Sequence, residues 1–226
     1  MLARLHQRLP PRTRRPAALL TGFSSTLDLE LARAFGQRGY DLVLCSSDET
    51  RLGQALHKLR GLLADIRIER VLIDDADSNG QTKLQEAINE LGLRVRVVLA
   101  NVRAHAKDID AARPLFAPFL AEMARRGKGR LLVSQSFDAK VLPAEDEDVP
   151  ENETALEMAL ALWRRWEGRG MSVSALLAGA ITTELDVAQL ADRTYGSLVH
   201  GNPRVFTSVT FGLEREPLSL PSVKAA

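Results

Sequence analysis

The chain has 226 residues, is 45% hydrophobic and carries a formal net charge of +1. This suits one α/β domain with a large core and excludes a general electrostatic pull toward nucleic acid or an anionic membrane. A single cysteine, Cys45, excludes an internal disulfide framework and suits a reducing cytoplasm. No apolar run approaches the roughly 18 residues of a membrane span.

In chain order, residues 1–15 come first. Arg4, Arg8, Arg12, Arg14 and Arg15 surround Pro10 and Pro11, and no acid precedes Asp28. The segment reads as a flexible basic tail ahead of one domain over 16–226; an Arg-rich transit peptide is the other reading, and no apolar stretch supports a signal peptide. Ala17–Thr21 is predicted as a strand and Leu27–Arg38 as a helix stopped by Gly39. Asp41–Cys45 is a second strand, and Asp48 caps a helix over Glu49–Leu63. Arg67–Ile73 is a third strand, and Ser78 or Asn79 opens a helix to Leu91. Val95–Ala100, nearly continuous in apolar residues, is a fourth strand of the kind buried on both faces.

A helix over Pro114–Arg126 and a strand over Arg130–Ser134 follow, then a polar loop from Phe137 to Glu153. Thr154–Glu167 is a helix closed by Gly168 and Gly170, and Ser172–Leu177 a sixth strand. Beyond Leu185 only a short final strand is expected, within VHGNPRVFTSV, before a frayed end. Regular strand–helix alternation predicts a doubly wound parallel sheet, a Rossmann-like three-layer α/β/α fold.

The opening segment AALLTGFSSTLDLELARAFGQRGY has the organisation of a dinucleotide-binding unit: apolar strand, TG turn, helix. Its glycines are depleted. Gly22 remains, while Thr26 and Asp28 stand where two others are expected. A side chain at Thr26 obstructs close approach of a pyrophosphate. Asp28 favours the helix dipole but competes with phosphate for the same amides.

Six pieces in order resemble the short-chain dehydrogenase/reductase family over Pro16 to Leu185. TGFSSTLD resembles its TGxxxGxG turn, RGYDLVLCSSDETRL its second strand, and LANVRA its NNAG segment with Asn101 retained. Asp74 falls where the family has an adenine-contacting acid. GRLLVSQS resembles the strand ending in the catalytic serine, here Ser136, and RGMSVSALLAGAITTEL the sixth strand and its PG turn. The resemblance implies NAD(P)-linked hydride transfer and a nicotinamide site built from Gly22, Ser24, Ser25, Leu27, Asp74 and Asn101.

The departures from the family pattern weigh against that chemistry. Counting back from Gly170, the family's proton-donating tyrosine falls at Asp148 and its lysine at Asn152. No tyrosine lies between Tyr40 and Tyr195. The stretch from Asn101 to Ser136 is short by the family's standard, and the missing part is expected to be the helix that carries the relay asparagine. An ionised Asp148 repels a developing oxyanion, and Asn152 has no charge with which to lower a neighbour's pKa. The acidic run EDEDVPENE (145–153) disfavours phosphate-bearing cofactors, and reads equally as a solvated loop or a partner-binding segment. Ser46 and Ser47 replace the base typical of NADP users.

Other candidates are few. His6, His57, His105 and His200 have no metal-ligand spacing, so no metal is expected. His105, near the end of the fourth strand, is the best spare acid/base. Arg103 either points toward the former nicotinamide region or lies on the surface. Tyr195 falls where the family has its substrate lid and reads as packing. Ser136 lacks a nucleophile elbow. The helix TALEMALALWRRW is apolar on more than one face, and the family dimerises through this helix. Residues 154–167 are therefore expected to pair with a second copy or with an active relative. The sum is a catalytically degenerate structural or regulatory subunit with no bound nicotinamide or weak NAD(H) binding. The alternative is a divergent oxidoreductase in which Asp148, His105 or Tyr195 supplies the proton.

Overall fold

The computed structural model describes residues 15–73, 79–103, 109–136, 153–166, 168–178, 184–200 and 205–208. Among these residues seven strands, β1 (Pro16–Thr21), β2 (Asp41–Ser46), β3 (Ile68–Leu72), β4 (Arg94–Arg103), β5 (Gly129–Ser136), β6 (Met171–Ala178) and β7 (Val205–Ser208), form one sheet. Its order is β3-β2-β1-β4-β5-β6-β7, and every pairing is parallel. The order reverses between β1 and β4, which makes their carboxyl ends the switch point where ligands bind in open α/β sheets.

Among the described residues six helices cover the sheet. Helix α1 (Thr26–Gln37), α2 (Glu49–Leu62) and α6 (Glu184–His200) bury their apolar stripes on one face; α3 (Gly80–Glu90), α4 (Ile109–Arg125) and α5 (Glu153–Trp166) cover the other. Alternation within the strands sorts the core. Leu42 and Leu44 join the cluster under α1, while Val43 and Cys45 join the one under α4. Asp48 caps α2 by accepting from the Arg51 N–H at 2.9 Å, as its position predicts.

Three expectations change. The sequence reading has no helix after Leu185, yet α6 runs for 17 residues. Val187, Ala191, Tyr195 and Leu198 are buried on its inner face, a spacing of four, four and three that is helical. Helix α4 starts at Ile109 rather than Pro114, so the expected crossover helix is longer at its amino end. Its sequence nonetheless contains no asparagine. Strands β4 and β5 also run past their apolar segments, through pairs Asn101↔Ser134, Val102↔Gln135 and Arg103↔Ser136. Ladder pairing there overrides the low strand propensity of polar residues.

Among the described residues no helix is long and apolar enough to cross a membrane. Residues 1–14 of the basic tail and the acidic 145–152 lie outside the described residues. Arg15 is described, and its guanidinium donates to the Asp65 carbonyl.

Candidate functional site

The turn leaving β1 is shaped by one close approach. Gly22 has φ +69°, and a Cβ built on it lies 2.3 Å from the Asn101 carbonyl oxygen of β4. Only glycine permits both the left-handed backbone and that contact. The chain then turns across β2, with the Phe23 N–H donating to the Cys45 carbonyl at 2.9 Å. Phe23 is buried, so its bulk is taken up by the core under α1.

Ser25 is the N-cap of α1, in extended geometry, and Asp28 completes a capping box with it. The Asp28 N–H donates to Ser25 Oγ at 3.2 Å. Asp28 Oδ2 accepts from the Ser24 N–H at 2.9 Å, the Ser25 N–H at 2.8 Å and Ser25 Oγ at 2.8 Å. It also accepts from Asn101 Nδ2 at 2.8 Å, across 73 residues of sequence. The close approach at Gly22 is what brings Asn101 within reach. Asp28 is only 4% exposed. Burial raises its pKa above the ordinary 3.8, and the hydrogen bonds from Ser24, Ser25 and Asn101 oppose that rise.

The predicted cofactor residues therefore meet, but around a carboxylate of the chain itself. Ser24, Ser25 and Asn101 converge on Asp28, and Gly22 packs against the Asn101 carbonyl. The Leu27 side chain is buried in the core under α1. Thr26, in a glycine position, is exposed. Two of the amides that a pyrophosphate would meet at the head of α1, those of Ser24 and Ser25, already donate to Asp28, which fits a dinucleotide poorly. The capping box was missed, although Ser-x-x-Asp is its sequence signature. The Asn101 link has no such signature, since it exists only because β1 and β4 are neighbours.

Ser136 is the last residue of β5, with its backbone in register with Arg103 of β4 and Ala178 of β6. It lies two positions beyond Ser134, the β5 partner of Asn101, so Ser136 and Asn101 share the carboxyl rim of the sheet. Asp74, His105, Asp148 and Asn152 lie outside the described residues. Cys45 is buried and His57 exposed, as their positions predict. Among the described residues no group of three His, Cys, Asp or Glu could hold a metal ion.

Tyr195 is far from that rim. It packs edge-on against Phe35, ring centroids 4.8 Å apart, and Arg38 lies 4.2 Å over its face. Tyr40 completes the group, 5.2 Å from Phe35. The end of α6 is tied to the opposite edge of the sheet: Arg130, near the amino end of β5, donates to the Leu198 and Val199 carbonyls at 2.8 and 2.7 Å. Six residues of strand, roughly 20 Å, separate Arg130 from Ser136. Tyr195 thus packs, as expected, and cannot serve as the proton donor that the divergent-enzyme alternative allowed it to be.

A cleft of about 620 Å³ opens at this same amino edge, between α3 and α4, lined by Gln85, Asn89, Arg94, Phe119, Glu122 and Arg126 among others. Burial lowers the Arg126 pKa, with the neighbouring Arg94, Arg96 and Arg125 adding to the effect. Its guanidinium donates to the Val95 and Glu122 carbonyls at 2.9 and 3.2 Å and lies 3.5 Å from the Glu122 carboxylate.

No family model and no curated protein matches the chain. Solved structures do match its fold. Levodione reductase shares 14% identity at TM-score 0.68, with 86% of this chain and 96% of that one covered. L-Sorbose reductase from Gluconobacter frateurii, complexed with NADPH and L-sorbose, shares 17% at TM-score 0.67, covering 86% and 95%. A metagenomic short-chain oxidoreductase in complex with NADP shares 16% at TM-score 0.65, covering 88% and 98%. At these identities the likeness establishes a common fold.

Proposed function

We propose that the chain is a short-chain dehydrogenase/reductase-like protein that has lost hydride-transfer chemistry and acts as a structural or regulatory subunit. One observation carries this reading. The chain has two tyrosines, and both belong to the aromatic group around Phe35. Reduction of a ketone leaves an alkoxide that needs a proton, and in this fold family a tyrosine beside a lysine supplies it. By the resemblance Ser136 would be the catalytic serine, and the two tyrosines are both engaged elsewhere, around Phe35. A serine hydroxyl can donate a hydrogen bond to a substrate oxygen but cannot deliver its proton at neutral pH.

Association is the second part of the proposal. Helix α5 would pair with a second copy or with an active relative, as its apolar sequence suggests. On it, Ala159 and Leu162 are buried in the core of this chain, and Trp163 and Trp166 are half-buried against the same cluster. The arginines Arg165 and Arg169 lie 5.6 Å from the Trp166 ring. The tryptophans thus serve this chain's own core first, so a partner would meet mainly the outward positions such as Ala161, which is exposed. A cytoplasmic location goes with this reading, supported by the lone cysteine, buried in β2.

The test is turnover. Purified protein is assayed for NADH- and NADPH-dependent reduction across a panel of ketones, with Ser136→Ala alongside. No turnover is expected from either. Turnover that disappears in Ser136→Ala would establish the divergent-enzyme reading instead. Light scattering on the same sample reports whether the chain associates with itself.

A further inference from the structure

We propose that Asp28 is a built-in occupant of the nucleotide-phosphate position, so that the turn after β1 excludes phosphate-bearing dinucleotides by being already filled. The inference deepens the reading above and rests on it for the identity of the fold, but it concerns binding rather than chemistry.

The argument starts from what a phosphate oxygen needs at a helix N-terminus, which is a set of convergent N–H donors. The Ser24 and Ser25 amides are such donors, and both point at Asp28 Oδ2 within 2.9 Å. Ser25 Oγ and Asn101 Nδ2 bring the number of donors on this single oxygen to four. A capping box by itself asks for less. Its acid reaches back to the N-cap amide and usually stays in water, where ionisation costs nothing. Here the carboxylate is drawn inward, against its burial penalty, and clamped by a residue of another strand.

Position accounts for this arrangement. Asp28 stands where the family resemblance puts a glycine, and Gly22 lets β1 and β4 close until Asn101 reaches across. The Ser24 and Ser25 amides are taken whether or not the carboxyl group is ionised, so the exclusion works by occupancy. The switch point is then restricted to ligands that place no phosphate at the head of α1.

Calorimetric titration of the full chain with NADH, and separately with inorganic pyrophosphate, tests the proposal. The unsubstituted protein is expected to give no binding up to millimolar ligand. Asp28→Gly, and Asp28→Gly combined with Thr26→Gly, are expected to bind at least tenfold more tightly. Asp28→Asn keeps the volume and an acceptor without the charge, and is expected to stay closed. Micromolar binding of NADH by the unsubstituted protein would overturn the proposal. So would glycine variants with native circular dichroism and no gain, or Asp28→Asn binding as well as Asp28→Gly. Should the glycine variants fail to fold, the carbon-13 resonance of the Asp28 carboxyl group decides. It is expected to stay unmoved by NADH in the unsubstituted protein, and a saturable shift would show the site open. Binding without turnover refutes this inference alone, whereas turnover refutes the functional reading above.

Discussion

The two ends of α1 hold polar side chains by opposite means. At the N-terminus, Asp28 is buried with four donors on one oxygen, beside a glycine turn with no room for a methyl group. At the C-terminus, Arg38 spreads over the Tyr195 ring, donates to the Ala34 carbonyl and pairs with Asp192 at 2.9 Å, with its side chain still 36% exposed. Beneath it, Phe35 and Tyr195 provide the apolar mass. The cationic end is an ordinary seam between α1 and α6, in which packing contributes the stability and the ion pair adds little. The acidic end fixes a geometry at a cost in charge burial. The C-terminal end is where α6 docks, and the N-terminal end lies at the switch point, where open α/β sheets bind their ligands.

Substitutions at each end should separate these roles. The largest loss is expected at the seam. Phe35→Ala removes a fully buried ring that touches both tyrosines, and should cost about 3–5 kcal/mol in urea unfolding. A loss below about 1 kcal/mol would mean that the seam does not organise α6. Next is Gly22→Ala, which forces φ +69° on an L residue and drives a methyl into the Asn101 carbonyl. It should lower stability by about 2–3 kcal/mol and shift the Asn101 side-chain amide resonances.

A third test reads a slope. The folded pKa of Asp28 lies above 3.8, so the native state binds its proton more tightly than the unfolded chain does. Stability contributed at this site is therefore fully present below the unfolded pKa and is lost as pH rises through the folded one. Asp28→Asn has no such loss. Its melting temperature relative to the unsubstituted protein should climb as pH rises from about 4 toward neutrality. A difference that falls over that range would show that the four hydrogen bonds outweigh burial. The smallest effect is expected from Arg38→Ala, under about 1 kcal/mol and smaller still at high salt, read from melting temperature.

The sequence and the structure agree where a local pattern suffices. The strands of the inner sheet announce themselves as apolar runs, and α2 begins at the aspartate that caps it. Agreement fails at α6, whose buried positions are regular but whose stripe is weakened by Thr194, a buried hydroxyl, and by Arg193 and Asp192 between the apolar residues. It fails again at Asn101–Arg103, which read as the end of a strand but are carried on by pairing with β5. In the candidate site, the loss of glycines was legible, because it is a matter of residue identity at a spacing. That Asp28 turns inward was not legible, because its fourth donor comes from another strand.

By itself, then, the sequence determined the alternation of elements, the parallel fold that alternation demands, and the absence of a tyrosine between residues 40 and 195. These follow from periodicity and composition, which are local or countable. Only the tertiary structure decided that Tyr195 lies at the far edge of the sheet and that Asn101 closes on Asp28. Both depend on which strands and helices become neighbours. That choice is set by burial of the whole core, and no window of sequence contains it.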